Sequence, residues 1–300
     1  MIHGLVLVNK SKHITSHTVV EKIRKLFKVK KVGHFGTLDP LAQGLLLIGM
    51  GNATKFFDFY IKKKKLYSGH IKFGYATTTY DAEGVPLAEK KEVNLVQIDI
   101  PALLSRFTGK QLQTPPIYSA KKFKGKPLYK YARQNKKVEV KPIHIEIFSL
   151  KGKVVDRETL WFEALTSTGT YIRSLAHDMG QIVGVGAYLE ELTRLAVGEF
   201  HLKDACTLEE LTRHVEASEI SRVVTPIEAL LPEFPKIIVT PGGRKGILNG
   251  MPLLPEDIIK VITTDNTENF RLFDDEGKLL AIARKDEKLM RFKPYIVFPN

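Results

Sequence analysis

The first apolar block, residues 4–8, reads Gly-Leu-Val-Leu-Val; it is short and continuous, which predicts a buried strand. A turn is expected over 9–15. From Ser16 onward, Val19, Val20, Ile23, Leu26 and Phe27 recur at helical spacing, so Ser16 is expected to cap a helix. The opposite face of that helix carries Lys22, Arg24, Lys25 and Lys28. Residues 45–49 predict a second buried strand, 52–60 a short helix, and the alternating run 66–74 a further strand. Helical patterns follow at 95–108, 184–195, 208–215 and 218–230. Strand patterns fall at 143–150 and 159–166, and 167–180 reads as a strand end, a turn and a helix start. The Pro-containing stretch 231–235 marks a boundary between 1–235 and 236–300. Beyond it the pattern is short and β-like at 236–240, 259–263, 269–274, 279–284 and 294–298, which predicts a small β-barrel. The whole is expected to be an α+β fold.

Composition narrows the setting. With 43% hydrophobic residues the chain can build an ordinary core. No apolar run approaches the ~18 residues of a membrane helix. Met1-Ile2-His3 leads straight into the first strand with no leader-like stretch, so a cytoplasmic location is expected. The one cysteine, Cys206, excludes an internal disulfide and any site of several thiolates. Nine histidines show no metal-ligand spacing, so no metal is expected. Charge changes the picture more. The formal net charge is +13, of which +11 lies before residue 236. Such a concentration of positive charge suits a polyanionic partner.

The candidate chemistry centres on residues 33–44, Gly-His-Phe-Gly-Thr-Leu-Asp-Pro-Leu-Ala-Gln-Gly. Asp39 followed by Pro40 has two readings. One is a helix cap, with Asp accepting backbone N–H groups and Pro in the first helical position. The other is a catalytic carboxylate on a stiff loop whose glycines admit a ligand. Tyr67 is delivered by a run of four lysines, Lys62 to Lys65. Asp81 and Glu83 read as ordinary turn acids. Residues 110–141 hold ten Lys/Arg and one acid, with Tyr118, Phe123, Tyr129 and Tyr131 interleaved. Basic charge tracks a phosphate backbone and aromatic faces stack bases, so this mixture points to nucleic acid. Arg173 lies among apolar neighbours and needs an anion; Asp39 and Asp178 are the candidates. Neither a Walker lysine, a dinucleotide fingerprint nor a nucleophile elbow is present.

Taken together, these segments resemble the bacterial tRNA pseudouridine 55 synthase family, TruB. The stretch 33–46 is similar to the family's catalytic-aspartate motif, and Lys65-Leu-Tyr67 to its tyrosine motif. Thr114-Pro-Pro-Ile-Tyr-Ser-Ala-Lys-Lys-Phe-Lys-Gly-Lys-Pro-Leu-Tyr-Lys-Tyr-Ala-Arg133 is nearly a full family signature. Gly169-Thr-Tyr-Ile-Arg173 and Gly186-Ala-Tyr-Leu-Glu-Glu-Leu-Thr-Arg194 are similar to the two motifs that follow. The N-terminal segment departs: the family commonly has Asp-Lys-Pro-x-Gly-x-Thr-Ser, where this chain has Asn9-Lys10-Ser11-Lys12-His13-Ile14-Thr15-Ser16.

The resemblance implies a pseudouridine synthase fold, a mixed and mostly antiparallel central sheet flanked by helices, with a PUA-like C-terminal β-barrel. It implies isomerisation of uridine 55 in the T loop of tRNA without a cofactor, by a monomer needing no protein partner. It assigns catalysis to Asp39, Tyr67 and Arg173. It implies substrate contacts at His34, which would fill the space the flipped base leaves, and at Lys10, Tyr118, Lys121 and Tyr171. The alternative is a non-catalytic RNA-binding protein or tRNA chaperone on the same fold. A complete Asp39–Tyr67–Arg173 set separates the two, because binding alone does not require it.

Overall fold

A computed structural model of the protein describes residues 2–299 except 120, 133, 135, 137, 263–267 and 287–290, and it does not describe the Tyr129 side chain. The Tyr129 ring, Arg133 and the end of the strand expected at 259–263 therefore lie outside the described residues. In chain order the elements are β1 Gly4–Lys10, α1 Ser16–Leu26, β2 Val32–His34, β3 Gln43–Met50, α2 Phe57–Tyr60, β4 Lys65–Phe73 and α3 Ile100–Ser105. Then come β5 Gly109–Gln113, β6 Lys122–Phe123, β7 Lys126–Pro127, α4 Leu128–Ala132, β8 Ile143–Val154, β9 Thr159–Thr166, α5 Ile172–Val183 and β10 Ala187–Val197. β11 Phe200–His201, α6 Leu208–Glu216, α7 Ile220–Val223 and β12 Val224–Pro226 complete the first sheet region. The rest is β13 Lys236–Val239, α8 Pro241–Leu248, β14 Ile258–Ile262, β15 Asn269–Phe273, β16 Leu279–Asp286 and β17 Arg291–Val297.

The large sheet runs β12-β1-β3-β10-β4-β9-β8-β5, with β2 on β3 and β11 on β10. All its pairings are antiparallel except β3 with β10. β3 is buried along nearly its whole length because both its faces are covered. Leu46, Ile48 and Met50 point to a core shared with Val19, Val20 and Ile23 of α1 and Leu175 and Met179 of α5. Leu45 and Leu47 point the other way, to Phe35, Phe56, Tyr60 and, from beyond residue 235, Phe273, Leu279, Ile282 and Phe298. A strand covered on both sides reads as an unbroken apolar run, as this one does.

Three expectations need correction. Residues 184–195 do not form a helix; 187–197 are β10, next to the middle of the sheet. Leu189, Leu192 and Leu195 mimic helical spacing because the pairing with β4 shifts register between Leu189 and Glu191, which interrupts the two-residue alternation. The helix expected at 218–230 is confined to Ile220–Val223, and β12 follows at once to pair with β1. Ser16 is not the cap of α1; the Thr15 hydroxyl accepts from the Thr18 N–H, and Ser16 turns inward. The C-terminal strands form a sheet in the order β14-β13-β15-β16-β17, with α8, which the pattern did not predict, between β13 and β14.

The two parts of the chain share apolar surface. Phe298 stacks on Phe56 with ring centroids 5.2 Å apart, Phe59 meets Phe234 edge-on at 5.4 Å, and the Arg271 guanidinium donates to the carbonyls of Glu228, Leu230, Pro232 and Phe234. Phe298→Ala should therefore cost about 3–5 kcal/mol and lower the melting temperature of the whole chain in a single transition. A melting curve unchanged from the parent would show that this contact adds nothing to the fold.

Candidate active site

Asp39 sits between β2 and β3, and no helix begins there, so the cap reading fails. The Asp39 carbonyl closes a turn by accepting the Ala42 N–H at 3.1 Å, and β3 starts at Gln43. The loop is anchored from several sides. The Ser16 hydroxyl donates to the Leu38 carbonyl at 2.9 Å and accepts the Leu38 N–H at 2.8 Å. The Pro40 carbonyl accepts the His13 N–H at 2.8 Å. Arg194 of β10 donates to the carbonyls of Leu45, Thr37 and Gly36 at 2.7, 3.3 and 3.0 Å. Gly36 has φ +121°, in the region that side chains avoid. This leaves the carboxylate of Asp39 two-fifths exposed on a held backbone.

Arg173 lies in the first turn of α5. Its helix start is pinned by Gln113, whose amide accepts the Tyr171 N–H at 2.8 Å and donates to the Tyr171 carbonyl at 3.0 Å. Arg173 is 5% exposed. Its Nε faces Asp39 Oδ2 at 2.9 Å, its Nη1 donates to the Thr79 carbonyl at 3.1 Å and faces Asp81 Oδ2 at 3.4 Å, and its Nη2 donates to the Tyr118 carbonyl at 2.8 Å. Of the two anions expected for it, Asp39 is confirmed and Asp178 is not; the second is Asp81. Asp81 had read as a turn acid. It is 3% exposed, accepts from the Thr79 hydroxyl and the Glu83 N–H, and burial pushes its carboxyl up against the opposing pull of Thr79 and Arg173. Asp178 is half-buried, and burial raises its carboxyl to about 6.

A cleft of about 340 Å³ opens over this pair. Asp39, Tyr67, Arg173, Tyr171 and Lys121 line it; His34, Lys10 and Tyr118 do not. Tyr67 stands on β4 directly across from Arg194 on β10, and the guanidinium interacts with its hydroxyl. Burial pushes the Tyr171 phenol up. Lys10 is fully buried, with its ammonium on the carbonyls of Ser11 and Ile14 at 2.9 and 2.8 Å. Burial lowers it to about 8 while Asp39 opposes the shift. His34 ends β2; burial, Arg194 and His17 hold its imidazole toward the neutral form. Tyr118 contributes its carbonyl to Arg173. Among the described residues, Lys10, Lys65, Asp81, Arg173, Arg194 and Asp274 are the buried charged side chains. All but Asp274 belong to this neighbourhood.

The basic segment forms a hairpin directly after Lys121, which lines the cleft. Lys124 and Gly125 take φ +46° and +82° between β6 and β7, as a two-residue hairpin turn requires. Lys122, Lys124 and Lys126 are exposed. Phe123 and Tyr131 meet edge-on at 5.8 Å, so these two rings pack on each other. Among the described residues no three His, Cys, Asp or Glu side chains gather as a metal ion would need.

Comparison with known proteins places this arrangement. Residues 24–172 match the TruB family pseudouridylate synthase N-terminal domain, and 173–232 the tRNA pseudouridylate synthase B C-terminal domain. The chain belongs to the TruB family. The tRNA pseudouridine synthase B of Solibacter usitatus is 42% identical over 82% of this chain and 84% of its own length. That of Lactiplantibacillus plantarum is 36% identical over 99% of both. A chain in the structure of an H/ACA RNP bound to a substrate RNA containing 2′-deoxyuridine has the same fold, with a TM-score of 0.73 at 20% identity over 99% of this chain and 85% of that one. The fold is thus the pseudouridine synthase fold, and the small C-terminal sheet is consistent with a PUA-like unit.

Arg173 uses its planar fork in three directions, which one ammonium cannot reproduce. Arg173→Lys should lose pseudouridine formation almost as fully as Arg173→Ala, measured as initial rate on T-arm RNA. Near-parental rates in the Lys variant would mean that charge alone, without the fork, suffices.

Proposed function

We propose that this TruB chain isomerises uridine 55 in the T loop of tRNA to pseudouridine, with Asp39, Tyr67 and Arg173 as its catalytic residues. The observation that carries the assignment of roles is the ion pair at 2.9 Å between a half-exposed Asp39 and a buried Arg173, at the floor of a cleft walled by Tyr67. In the reaction uracil leaves ribose at N1, turns, and rejoins through C5. No atom is gained or lost overall, so the chemistry asks for a carboxylate, proton transfer and an enclosing pocket.

Arg173 pairs with Asp39 at 2.9 Å and aims one of its oxygens, which serves an attack at C1′ or at C6 of the ring. The target base reaches the carboxylate only by leaving the T-loop stack, at a cost of a few kcal/mol. Tyr67 offers a ring face to the flipped uracil and a hydroxyl as proton acceptor. His34 fills the vacated space, Tyr171 packs beside the base, and Lys10 holds the 11–14 turn through the carbonyls of Ser11 and Ile14. The exposed lysines of the 122–127 hairpin, with Lys121 and the outer face of α1, hold the T arm by its phosphates.

Residues 1–235 form the catalytic unit in this reading, and 236–300 an RNA-binding unit that reaches tRNA beyond the T arm. A monomer acting without a protein partner completes this reading. No described helix is long and apolar enough to cross a membrane, and a tRNA substrate suits a cytoplasmic enzyme.

The test is pseudouridine mapping on T-arm RNA with the purified protein and no added cofactor. Asp39→Asn should abolish the product while RNA affinity stays within about tenfold, because one carboxylate contributes little beside many cationic contacts. Residual turnover near the parent would remove Asp39 as the essential carboxylate.

A further inference from the structure

Lys65 is a buried ammonium that the three catalytic roles leave unused. It begins β4, two residues before Tyr67, is 5% exposed and lines the cleft. Two of its N–H groups go to the carbonyls of Ile61 and Lys63, both at 2.7 Å. No carboxylate among the described residues pairs with it, and a third ammonium proton is left for a ligand. Its side chain runs beside Gly36 of the Asp39 loop, with Arg194 on the same side. Burial, with Arg194 adding to it, lowers Lys65 to about 8, so it is still protonated at pH 7.

Charge around the cleft does not balance. Lys10, Lys65, Arg173 and Arg194 are four buried cations; Arg173 pairs with Asp39 and Asp81, Asp39 and Glu83 act on Lys10 from further off, and Lys65 has no paired carboxylate among the described residues. Burying a cation without a counter-ion is costly unless a ligand supplies the missing negative charge. A phosphate is a poor candidate for that ligand, because phosphates stay wet on the surface and the exposed lysines of the hairpin already suit them. The group that enters the cleft is the base.

We propose that Lys65 is a further catalytic residue, an ammonium donor to the negative charge that develops on the flipped uracil ring. The proposal rests on the functional reading above and holds for either route of attack. If the C1′–N1 bond breaks with its electron pair going to N1, a bond forms between C1′ and an Asp39 oxygen, and the ring becomes an anion spread over N1, O2 and O4. If Asp39 instead adds to C6, the C5–C6 π pair moves toward C5 and O4. Both leave negative charge on the ring, where a fixed donor in a dry pocket acts most strongly.

The experiment compares the parent, Lys65→Met and Lys65→Arg in the full chain, under single turnover, on T-arm RNA carrying uridine or 5-fluorouridine at the target. The readout is loss of the starting nucleoside after digestion, with RNA affinity measured in parallel. Fluorine at C5 withdraws electrons and stabilises the ring anion by itself. Lys65→Met should slow the uridine substrate by about 100-fold, the scale of one lost oxyanion donor, and the fluorinated substrate by only about 10-fold. RNA affinity should stay within about threefold, since no phosphate contact is lost, and Lys65→Arg, which keeps the charge, should recover part of the rate. Equal slowing of both substrates, or no slowing of the uridine substrate, would overturn the assignment. Should Lys65→Met be poorly folded by circular dichroism, Lys65→Arg decides, since a rate as low as that of an inactive enzyme would contradict a role for its charge. A parent that forms no pseudouridine would instead remove the functional reading on which the proposal rests.

Discussion

The guanidinium of Arg173 is the point on which the rest depends. Withdrawn from water, it needs an anion, and three other segments of the chain supply what it touches. Asp39 comes from the β2–β3 loop, Thr79 and Asp81 from the turn after β4, Tyr118 from the basic segment, and Arg173 itself from α5. Removing one partner of a buried ion pair typically costs 3–5 kcal/mol, because the other is left uncompensated. Distant parts of the sequence are thereby fixed relative to one another at the proposed catalytic carboxylate, and Asp39 can stay half exposed because its orientation is set from below.

The sheet makes this convergence possible. β3 and β10 are its one parallel pair, and β4 lies on the other side of β10. These three adjacent strands bring together the loop of Asp39, the guanidinium of Arg194 and the ring of Tyr67. Arg194 is buried more completely than Arg173, yet it spends its donors on backbone carbonyls of the loop and reaches the Tyr67 hydroxyl. Burial lowers its affinity for a proton, with Tyr67 and Asp39 opposing, but an arginine stays charged. Four buried cations in one neighbourhood are an expensive way to build a core and a useful way to build a field.

Much of this was legible in the sequence. Unbroken apolar runs located β1 and β3, two-residue alternation located β4, and the glycine-bounded loop with one carboxylate pointed to the candidate site. The parts that were not legible share a cause: they depend on neighbours that are remote in sequence. β10 was hidden by a bulge that made its leucines mimic a helix. Asp81 looked like a turn acid because the guanidinium it faces, Arg173, lies 92 residues further on. Ser16 looked like a cap because the Leu38 backbone that claims its hydroxyl lies on another element. The chemistry of the C-terminal sheet is also hidden, since its apolar residues serve the core under β3 as much as their own sheet.

The central claim is that Asp39 is held in its productive orientation by Arg173 and that Asp81 acts through the same guanidinium. A double-mutant cycle tests it most directly, using Arg173→Lys and Asp81→Asn with single-turnover rates on T-arm RNA. If both act through one network, the double variant should be hardly slower than Arg173→Lys alone, leaving a coupling energy of roughly 1–3 kcal/mol. Losses that simply add would mean that Asp81 and Arg173 work independently, and would contradict the account.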